Sequence, residues 1–479
     1  MRALCIMLLG CCGAAQAAPP NFESIFPAGG QVGTQIEVKV AGKGLENGSP
    51  QAWSSDPKLT IVTGKKPNLF QLGISADAAP GPRLMRFFTS EGATAPRIIE
   101  VGQFEELIET EPNDTLVTAK ANPAKMNVTL NGVLEKAGDV DTHAFPAKKG
   151  QRIILELHGY GIGSAMDPAM RLLNEQGVEI ASGHDTHNLD PRIEHTAAAD
   201  GTLFLQVFAF SHPPAADVAF KGSVHHVYRL TLTDEPKKMP RLNEPKTITV
   251  PTVLTGSIAK AREEDVFSFT AKKGDDLQIT VRAQALRSPL DAILRIEDTD
   301  GKTLQQADDG DKENLDPALR WKAPKDGEFK FVIADRSHQG SADHLYEFSV
   351  KPFVPSLTGT LDTHAYRLEA GKIVEVRLTL KVSGTLTSKV QARAVNLPAG
   401  VTAEPVDVPM KGGEVKLKLK AEVDAAASQA PFAVEIGASE VPDSIPRVLA
   451  SYVIPFAEPR GDLLIMSDSH PWLTVVEKK

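Results

Sequence analysis

Apolar and polar residues alternate along many short stretches of the chain, and the spacing of an amphipathic helix is scarce. Two clear examples are the segments 35–40 and 414–420, where valine, isoleucine or leucine occupies every second position. Alternation of this kind turns one face of a strand to a core and the other to water, as in antiparallel sheets. The 37 glycines and 34 prolines separate these stretches into short strands. The pattern predicts an all-β protein built as tandem β-sandwiches.

The middle of the chain contains an internal repeat. Asp141 and Gly150 recur as Asp265 and Gly274, each 124 residues later. Further along the distance becomes 126 residues, which indicates a small insertion in the second copy. A period of this length exceeds the ~20–50 residues of a solenoid unit, so we expect two homologous domains.

The first 17 residues have the features of a secretory signal. Arg2 supplies a positive charge, an apolar core follows, and residues 15–17 form an Ala-Gln-Ala cleavage site. We therefore expect an exported chain, periplasmic or extracellular, that begins near Ala18. A rival interpretation makes Cys11 a lipidated anchor, but a leader of ten residues would be short.

Composition narrows the possible partners. All three cysteines lie in the signal segment, so the mature domains are expected to fold without disulfides. The 52 basic residues are outnumbered by 61 acidic ones, a net charge of -9, which argues against nucleic acid as a partner. Beyond the signal, no run approaches the ~18 apolar residues of a transmembrane segment.

Both copies of the repeat resemble the bacterial pre-peptidase C-terminal (PPC) domain, a jelly-roll-like sandwich similar to the collagen-binding domains of clostridial collagenases. The residues that carry this resemblance are the entry Glu109-Thr110-Glu111-Pro112-Asn113-Asp114, the segments 138–145, 167–172 and 200–203, and the hairpin Lys149-Gly150. The first copy matches closely, and the second keeps the middle but not the entry. The resemblance implies domains that accompany secreted enzymes or surface proteins without being catalytic.

The flanking segments resemble immunoglobulin-like domains. Residues 22–30, 33–34 and 42–45 are similar to an IPT/TIG domain, and residues 395–401 with 413–417 are similar to another Ig-like sandwich. The expected organisation is a signal peptide at 1–17, an IPT/TIG-like domain at 18–103, PPC-like domains at 104–235 and 240–353, and an Ig-like sandwich at 354–479.

The entry of the first copy is rich in oxygen donors. Glu109, Glu111, Asn113 and Asp114 lie within six residues, and Asp139 and Asp141 follow at the next turn. Calcium binds six to eight oxygen ligands. The collagenase-type relatives place a calcium site at this entry motif, so the resemblance implies Glu109, Glu111, Asn113 and Asp114 as Ca²⁺ ligands. We expect Asp139 and Asp141 to complete the set if the entry strand packs beside their turn. The alternative is a solvated acidic turn.

The second copy is expected to lack the calcium site. Its entry reads Asn243-Glu244-Pro245-Lys246, which puts a lysine where the acidic cluster should continue.

Histidines and catalytic motifs give little support for other chemistry. Eight of the 12 histidines fall in the first copy, without helical spacing or a cysteine to complete a zinc site, so surface loops are the better interpretation. The sequence contains no Gly-x-Ser-x-Gly, His-Glu-x-x-His or Ser-x-x-Lys motif with its partners.

The sequence as a whole favours an exported, non-catalytic binding or scaffold protein. Its partner is expected to be an extracellular protein or a polysaccharide. The alternative is a secreted hydrolase or a peptidase-associated accessory protein.

Overall fold

A computed structural model describes residues 18–478 apart from 46–49, 65, 67, 187–188, 212–218, 236–245, 287, 311–314, 439–446 and 456–462. The predicted signal peptide, Cys11 and the second copy's entry at 243–245 lie outside these residues. Nearly all regular structure is strand, which confirms the all-β, tandem-sandwich prediction. In the described part, no helix has the length and apolar character needed to span a bilayer.

The N-terminal sandwich packs a sheet of order β1-β3-β6-β5 against a sheet of order β2-β9-β7-β4, with β8 paired to β7. Its strands are β1 (Ser24–Phe26), β2 (Gly29–Gln31), β3 (Gln35–Ala41), β4 (Gln51–Ser54), β5 (Leu59–Thr63), β6 (Leu69–Ile74), β7 (Gly81–Thr89), β8 (Gly92–Ala93) and β9 (Arg97–Gly102). The alternation seen in 35–40 buries Val38 and Val40 as expected.

The first repeat has sheets of order β10-β11-β18-β13-β16 and β12-β17-β14-β15. Its elements are β10 (Glu105–Ile108), α1 (Leu116–Ala121), β11 (Val128–Val133), β12 (Asp141–Ala147), β13 (Arg152–His158), β14 (Asp167–Leu173), β15 (Glu179–Gly183), β16 (Arg192–Thr196), β17 (Gly201–Phe210) and β18 (Val227–Thr233), with a 3-10 turn at Tyr160–Ile162. The β10 strand runs parallel to β11 and leads directly into Glu109.

The second repeat has sheets of order β19-β26-β21-β24 and β20-β25-β22-β23. Its strands are β19 (Thr252–Ser257), β20 (Glu264–Ala271), β21 (Asp276–Arg282), β22 (Ala292–Asp298), β23 (Thr303–Ala307), β24 (Ala318–Lys322), β25 (Gly327–Asp335) and β26 (Leu345–Pro352), with a 3-10 turn at Gln284–Leu286. Trp321 is buried in its core, as the strand pattern around it predicts.

The C-terminal sandwich contains sheets of order β27-β29-β33-β31, β28-β39-β34, β32-β30-β35-β36 and β37-β38. Its strands are β27 (Ser356–Leu361), β28 (Ala365–Glu369), β29 (Ile373–Ser383), β30 (Val390–Val395), β31 (Val401–Ala403), β32 (Val406–Val408), β33 (Gly413–Ala421), β34 (Ser428–Pro431), β35 (Ala433–Ala438), β36 (Val448–Leu449), β37 (Tyr452–Val453), β38 (Ser467–Asp468) and β39 (Trp472–Val476). Among the described strands, each sheet draws its members from one predicted domain; the domain boundaries themselves stay a prediction.

The two repeats share details beyond strand order. In the first, the carboxylate of Asp190 accepts hydrogen bonds from three consecutive backbone amides at 159–161. In the second, Asp316 accepts the same three bonds from residues 283–285. Because each carboxylate satisfies amides at the start of a 3-10 turn, it stabilises the same connection in both copies.

The second repeat docks on the first through a buried carboxylate. One oxygen of Asp343 lies 2.5 Å from the guanidinium of Arg152 and 2.6 Å from that of Arg192. Asp343 is only 4% exposed, so the two arginines provide the positive charge that its burial requires.

The first and last sandwiches are also in contact, which the expected linear string of domains did not include. Their apolar residues form one continuous core cluster, joined by Tyr160 and Ile162 from the first repeat. At its edge, Trp472 of β39 packs against Phe88 of β7 with ring centroids 4.8 Å apart. The chain therefore folds back on itself, and its two ends bury each other's surface.

We predict that Asp343→Ala lowers the free energy of unfolding by about 2–5 kcal/mol, because two arginines lose their buried counter-charge. The matched control is Asp276→Ala, which breaks an exposed pair with Arg320 and should change stability by less than about 1 kcal/mol. Urea unfolding followed by tryptophan fluorescence measures both. Equal effects of the two variants would contradict a buried docking role for Asp343.

Candidate metal centre

The entry segment of the first repeat is held along β11 and β12 by its own backbone. The amide of Glu109 donates to the carbonyl of Asn131 at 3.0 Å, and the carbonyl of Asn113 accepts from the amide of Thr142 at 3.0 Å. Thr115 then caps helix α1 with a reciprocal capping box. The acidic residues between these points are thereby fixed beside Asp141, the first residue of β12.

Three of the six predicted ligands come together. Glu109, Glu111 and Asp141 each place a carboxylate oxygen within 4.8 Å of the other two. Oxygens on opposite sides of a calcium ion are about 4.6–5.2 Å apart, twice the Ca–O distance. The three oxygens thus have a spacing that one cation could bridge.

Asn113 belongs to the same cluster. Its side-chain amide donates to Oε2 of Glu109 at 3.2 Å, and its backbone amide donates to Oε2 of Glu111 at 3.0 Å. Its Oδ1 atom is buried and receives no hydrogen bond. This carbonyl oxygen is therefore a fourth donor in the cluster.

Asp139 and Asp114 lie to one side, around Lys136. Oδ2 of Asp139 accepts the amide of Glu135 at 2.6 Å, and its Oδ1 lies 3.4 Å from the Lys136 ammonium. Asp114 is half exposed and lies 4.0 Å from the same ammonium. The structure therefore places these two predicted ligands in a flanking ion-pair group, outside the group of three.

Tyr228 of β18 is the residue that the motif does not reveal. Its hydroxyl lies 2.9 Å from Oε2 of Glu109, 2.7 Å from Oδ2 of Asp141 and 2.9 Å from Nε2 of His143, and it can donate its one proton to either carboxylate. The ring reaches the cluster because Gly132 has no side chain: a Cβ there would lie 2.3 Å from the Tyr228 hydroxyl.

The sequence did contain a signal for this tyrosine. Gly132 and Tyr228 recur in the second repeat as Gly256 and Tyr346, and a Cβ on Gly256 would also meet the tyrosine ring, at 2.4 Å. Tyr346 donates to Asp265 at 2.5 Å. A glycine and a tyrosine recurring together thus mark the close approach of two strands.

The carboxyl groups of the cluster are unfavourable as free anions. Burial raises the pKa of Glu109 to about 7. Burial and the neighbouring Glu109 raise the pKa of Asp141 to about 10, and burial raises the pKa of Glu111. Without a counter-ion the cluster retains protons at neutral pH, whereas a bound cation would favour the ionised carboxylates.

The second repeat lacks the entry cluster in its described part. The amide of Ala124 donates to the carbonyl of Ala144, and the amide of Ile248 donates to that of Ser268, 124 residues on. By this equivalence Lys246 of the second repeat corresponds to Asn122 of the first. The predicted alignment of Lys246 with the acidic entry at 109–114 was therefore wrong.

The surface-loop prediction is wrong for three histidines of the first repeat: His143, His158 and His195 lie in strands β12, β13 and β16, and His143 is buried. Within the described ranges the histidines form no group of three at ligand distance.

Comparisons with known proteins give partial similarities. No protein-family model matches the chain. A probable subtilase-type serine protease of Deinococcus radiodurans is 34% identical over 98 residues, which is 20% of this chain and 14% of that protein. The chain thus spans about a seventh of that relative's length.

Solved structures show weak similarity. The pre-peptidase C-terminal domain of collagenase from Bacillus anthracis aligns over its full length with 24% of this chain, at 18% identity and a TM-score of 0.19. The N-terminal four Ig domains of Dscam1 align with 97% of this chain, over all of that chain, at 9% identity and a TM-score of 0.22.

We predict that Tyr228→Phe lowers the stability of the metal-free protein by about 1–3 kcal/mol, because buried carboxyl oxygens lose a hydrogen-bond donor. Thermal unfolding in EDTA measures the loss, and an unchanged far-ultraviolet circular dichroism spectrum is the control for the fold. A loss below about 0.5 kcal/mol would show that the hydroxyl does not support the cluster.

Proposed function

We propose that the chain is an exported, non-catalytic binding or scaffold protein of the cell surface or periplasm, with Ca²⁺ bound in its first repeat. Its sandwiches would present surfaces to an extracellular protein or a polysaccharide. The all-β architecture, together with the export signal that the sequence predicts at residues 1–17, supports this role. We also propose that residues 104–235 and 240–353 form two PPC-like domains.

One observation carries the calcium part of the proposal. Asn113 Oδ1 and Asp141 Oδ1 are both buried and accept no hydrogen bond. Buried oxygens of this kind cost free energy unless a donor or a cation satisfies them. Two of them within one acidic cluster support a cation as the missing partner.

The donor set favours calcium among the common cations. Every candidate ligand is a carboxylate or amide oxygen, whereas zinc prefers histidine and cysteine. His143 is buried against Tyr228, and burial lowers its pKa to about 4, so it remains neutral. Oxygen ligands from a loop and a strand can also adjust to the variable geometry that calcium accepts.

The bound ion would stabilise the first repeat. Glu109, Glu111 and Asn113 belong to the entry segment, while Asp141 starts β12 in the other sheet. A cation between them would join the entry to the sandwich, and its binding free energy would add to folding.

We predict that millimolar Ca²⁺ raises the melting temperature of the first repeat above its value in EDTA. At a free Ca²⁺ concentration of 100 times the Kd, the free energy of unfolding should rise by about 2.7 kcal/mol. Asp141→Asn should abolish this shift. In EDTA the same variant should unfold within about 1 kcal/mol of wild type, because the raised pKa already keeps Asp141 protonated at pH 7. Calorimetry of the full chain gives both values.

The matched control is Asp265→Asn, the corresponding position of the second repeat. It should retain the full calcium response. A response that survives Asp141→Asn, or that Asp265→Asn removes, would contradict a site in the first repeat. No response in wild type would mean that the acidic entry is only a turn.

A secreted hydrolase is the second candidate. The 98-residue match to a subtilase-type protease supports it. So does a contact at the junction of the N-terminal sandwich and the first repeat: Ser24 Oγ lies 2.9 Å from Nδ1 of His225, whose Nε2 lies 3.6 Å from Glu23. However, the cleft beside them encloses about 20 Å³, room for a water molecule and not for a peptide.

Activity assays separate these two candidates. We expect no casein turnover and no labelling of Ser24 by a fluorophosphonate probe, since the cleft does not admit a peptide. Sustained hydrolysis that Ser24→Ala abolishes would replace the binding role with a catalytic one. A catalytically dead Ser24→Ala sample is also the control for contaminating proteases.

A further inference from the structure

A fully buried arginine lies between the two ends of the chain. Arg86 of β7 belongs to the N-terminal sandwich and has no exposed surface. Its hydrogen-bond acceptors come from the C-terminal sandwich: the hydroxyl of Tyr452, and the carbonyls of His364 at 3.1 Å and His470 at 3.5 Å. Asp468 supplies the counter-charge at 3.8 Å.

Arg86, His364, Tyr452, Asp468 and His470 form a polar group at the junction of the first and last sandwiches. It is continuous with aromatic packing, since Trp53 lies 5.9 Å from the His470 ring. Tyr452 donates to Asp468, and His470 Nδ1 lies 2.8 Å from that carboxylate. One cation from the first sandwich is therefore surrounded by acceptors of the last.

His364 is the residue of this group whose protonation would conflict with the charge of Arg86. Its Nδ1 accepts from the Arg86 guanidinium at 3.3 Å, which requires that nitrogen to be unprotonated. A proton added there would remove the acceptor and place a second positive charge against a buried arginine. Burial and the Arg86 charge lower the pKa of His364 to about 4.

We propose that this junction is an acid-sensitive closure, held at neutral pH by Arg86 and released when His364 takes up a proton. In the closed form the first and last sandwiches pack together as they do in the structure. Open, the C-terminal sandwich separates from β7 and exposes Trp53, Phe88 and Arg86.

Two neighbouring groups, His470 and Asp468, also affect how strongly the closure depends on pH. Interaction with Asp468 raises the pKa of His470, which favours the closed form as the pH falls and so opposes His364. Hydrogen bonds from His470 and Tyr452 lower the pKa of Asp468 despite its burial, so this carboxylate stays ionised through the same range.

The sign of the pH dependence follows from His364. Its pKa is about 6.5 when exposed and about 4 in the closed form, so closure is strongest above pH 6.5 and weakens toward pH 4. Between pH 7.5 and pH 5, His364 alone raises the ratio of open to closed molecules about thirtyfold.

The closure can be measured on the chain expressed from residue 18, which contains no cysteine. Cysteines introduced at the exposed Val62 and Val423 carry spin labels on the first and last sandwiches. We expect a narrow label distance distribution at pH 7.5 and a growing longer-distance component at pH 5. The variant Arg86→Met should show the longer component at both pH values.

His364→Gln keeps a neutral side chain and should remain closed at pH 5. The matched control, His184→Gln, changes an exposed histidine of the first repeat and should open like wild type. A wild-type distribution that is the same at both pH values would overturn the proposal. Acid opening that persists in His364→Gln would also overturn it, because the proton would then act elsewhere.

Discussion

Pairing of buried charges between neighbouring sandwiches is the constraint on which the arrangement of this molecule depends. Arg229 of the first repeat lies 3.3 Å from Glu100 of the N-terminal sandwich. It also lies 2.7 Å from Glu106, which belongs to β10 of its own repeat. Asp343 joins the repeats, and Arg86 joins the two ends of the chain. A buried charge is costly when unpaired, so each junction is stable in the one arrangement that brings its partner into place.

The two repeats show how one scaffold can carry different chemistry. Both keep a tyrosine hydroxyl on a buried aspartate, Tyr228 on Asp141 and Tyr346 on Asp265. The first repeat adds the acidic entry segment beside this pair, which brings the part-buried Glu109 and the exposed Glu111 next to the buried Asp141. The raised pKa values of Glu109 and Asp141 are the electrostatic consequence of this crowding and burial.

The candidate site was partly predictable from the chain. Glu109, Glu111 and Asn113 are close in sequence and match a known entry motif, and the expectation that the entry strand packs beside the next turn added Asp141. Tyr228 was not included, because it lies on a strand 119 positions from Glu109 and contacts the cluster only through sheet pairing. Asp114 and Asp139 lie outside the group of three, beside the Lys136 ammonium. The position of that lysine side chain could not be predicted from the sequence.

The sequence by itself determined the strand-rich architecture, since an alternating pattern can bury its apolar side only in a sheet and the internal repeat requires two similar units. It also indicated the acidic entry. Only the tertiary structure decided that the first and last sandwiches pack together, because Arg86 and Tyr452 are 366 residues apart. Local patterns record which side of a strand is buried, whereas the partner of a buried charge depends on how whole domains meet.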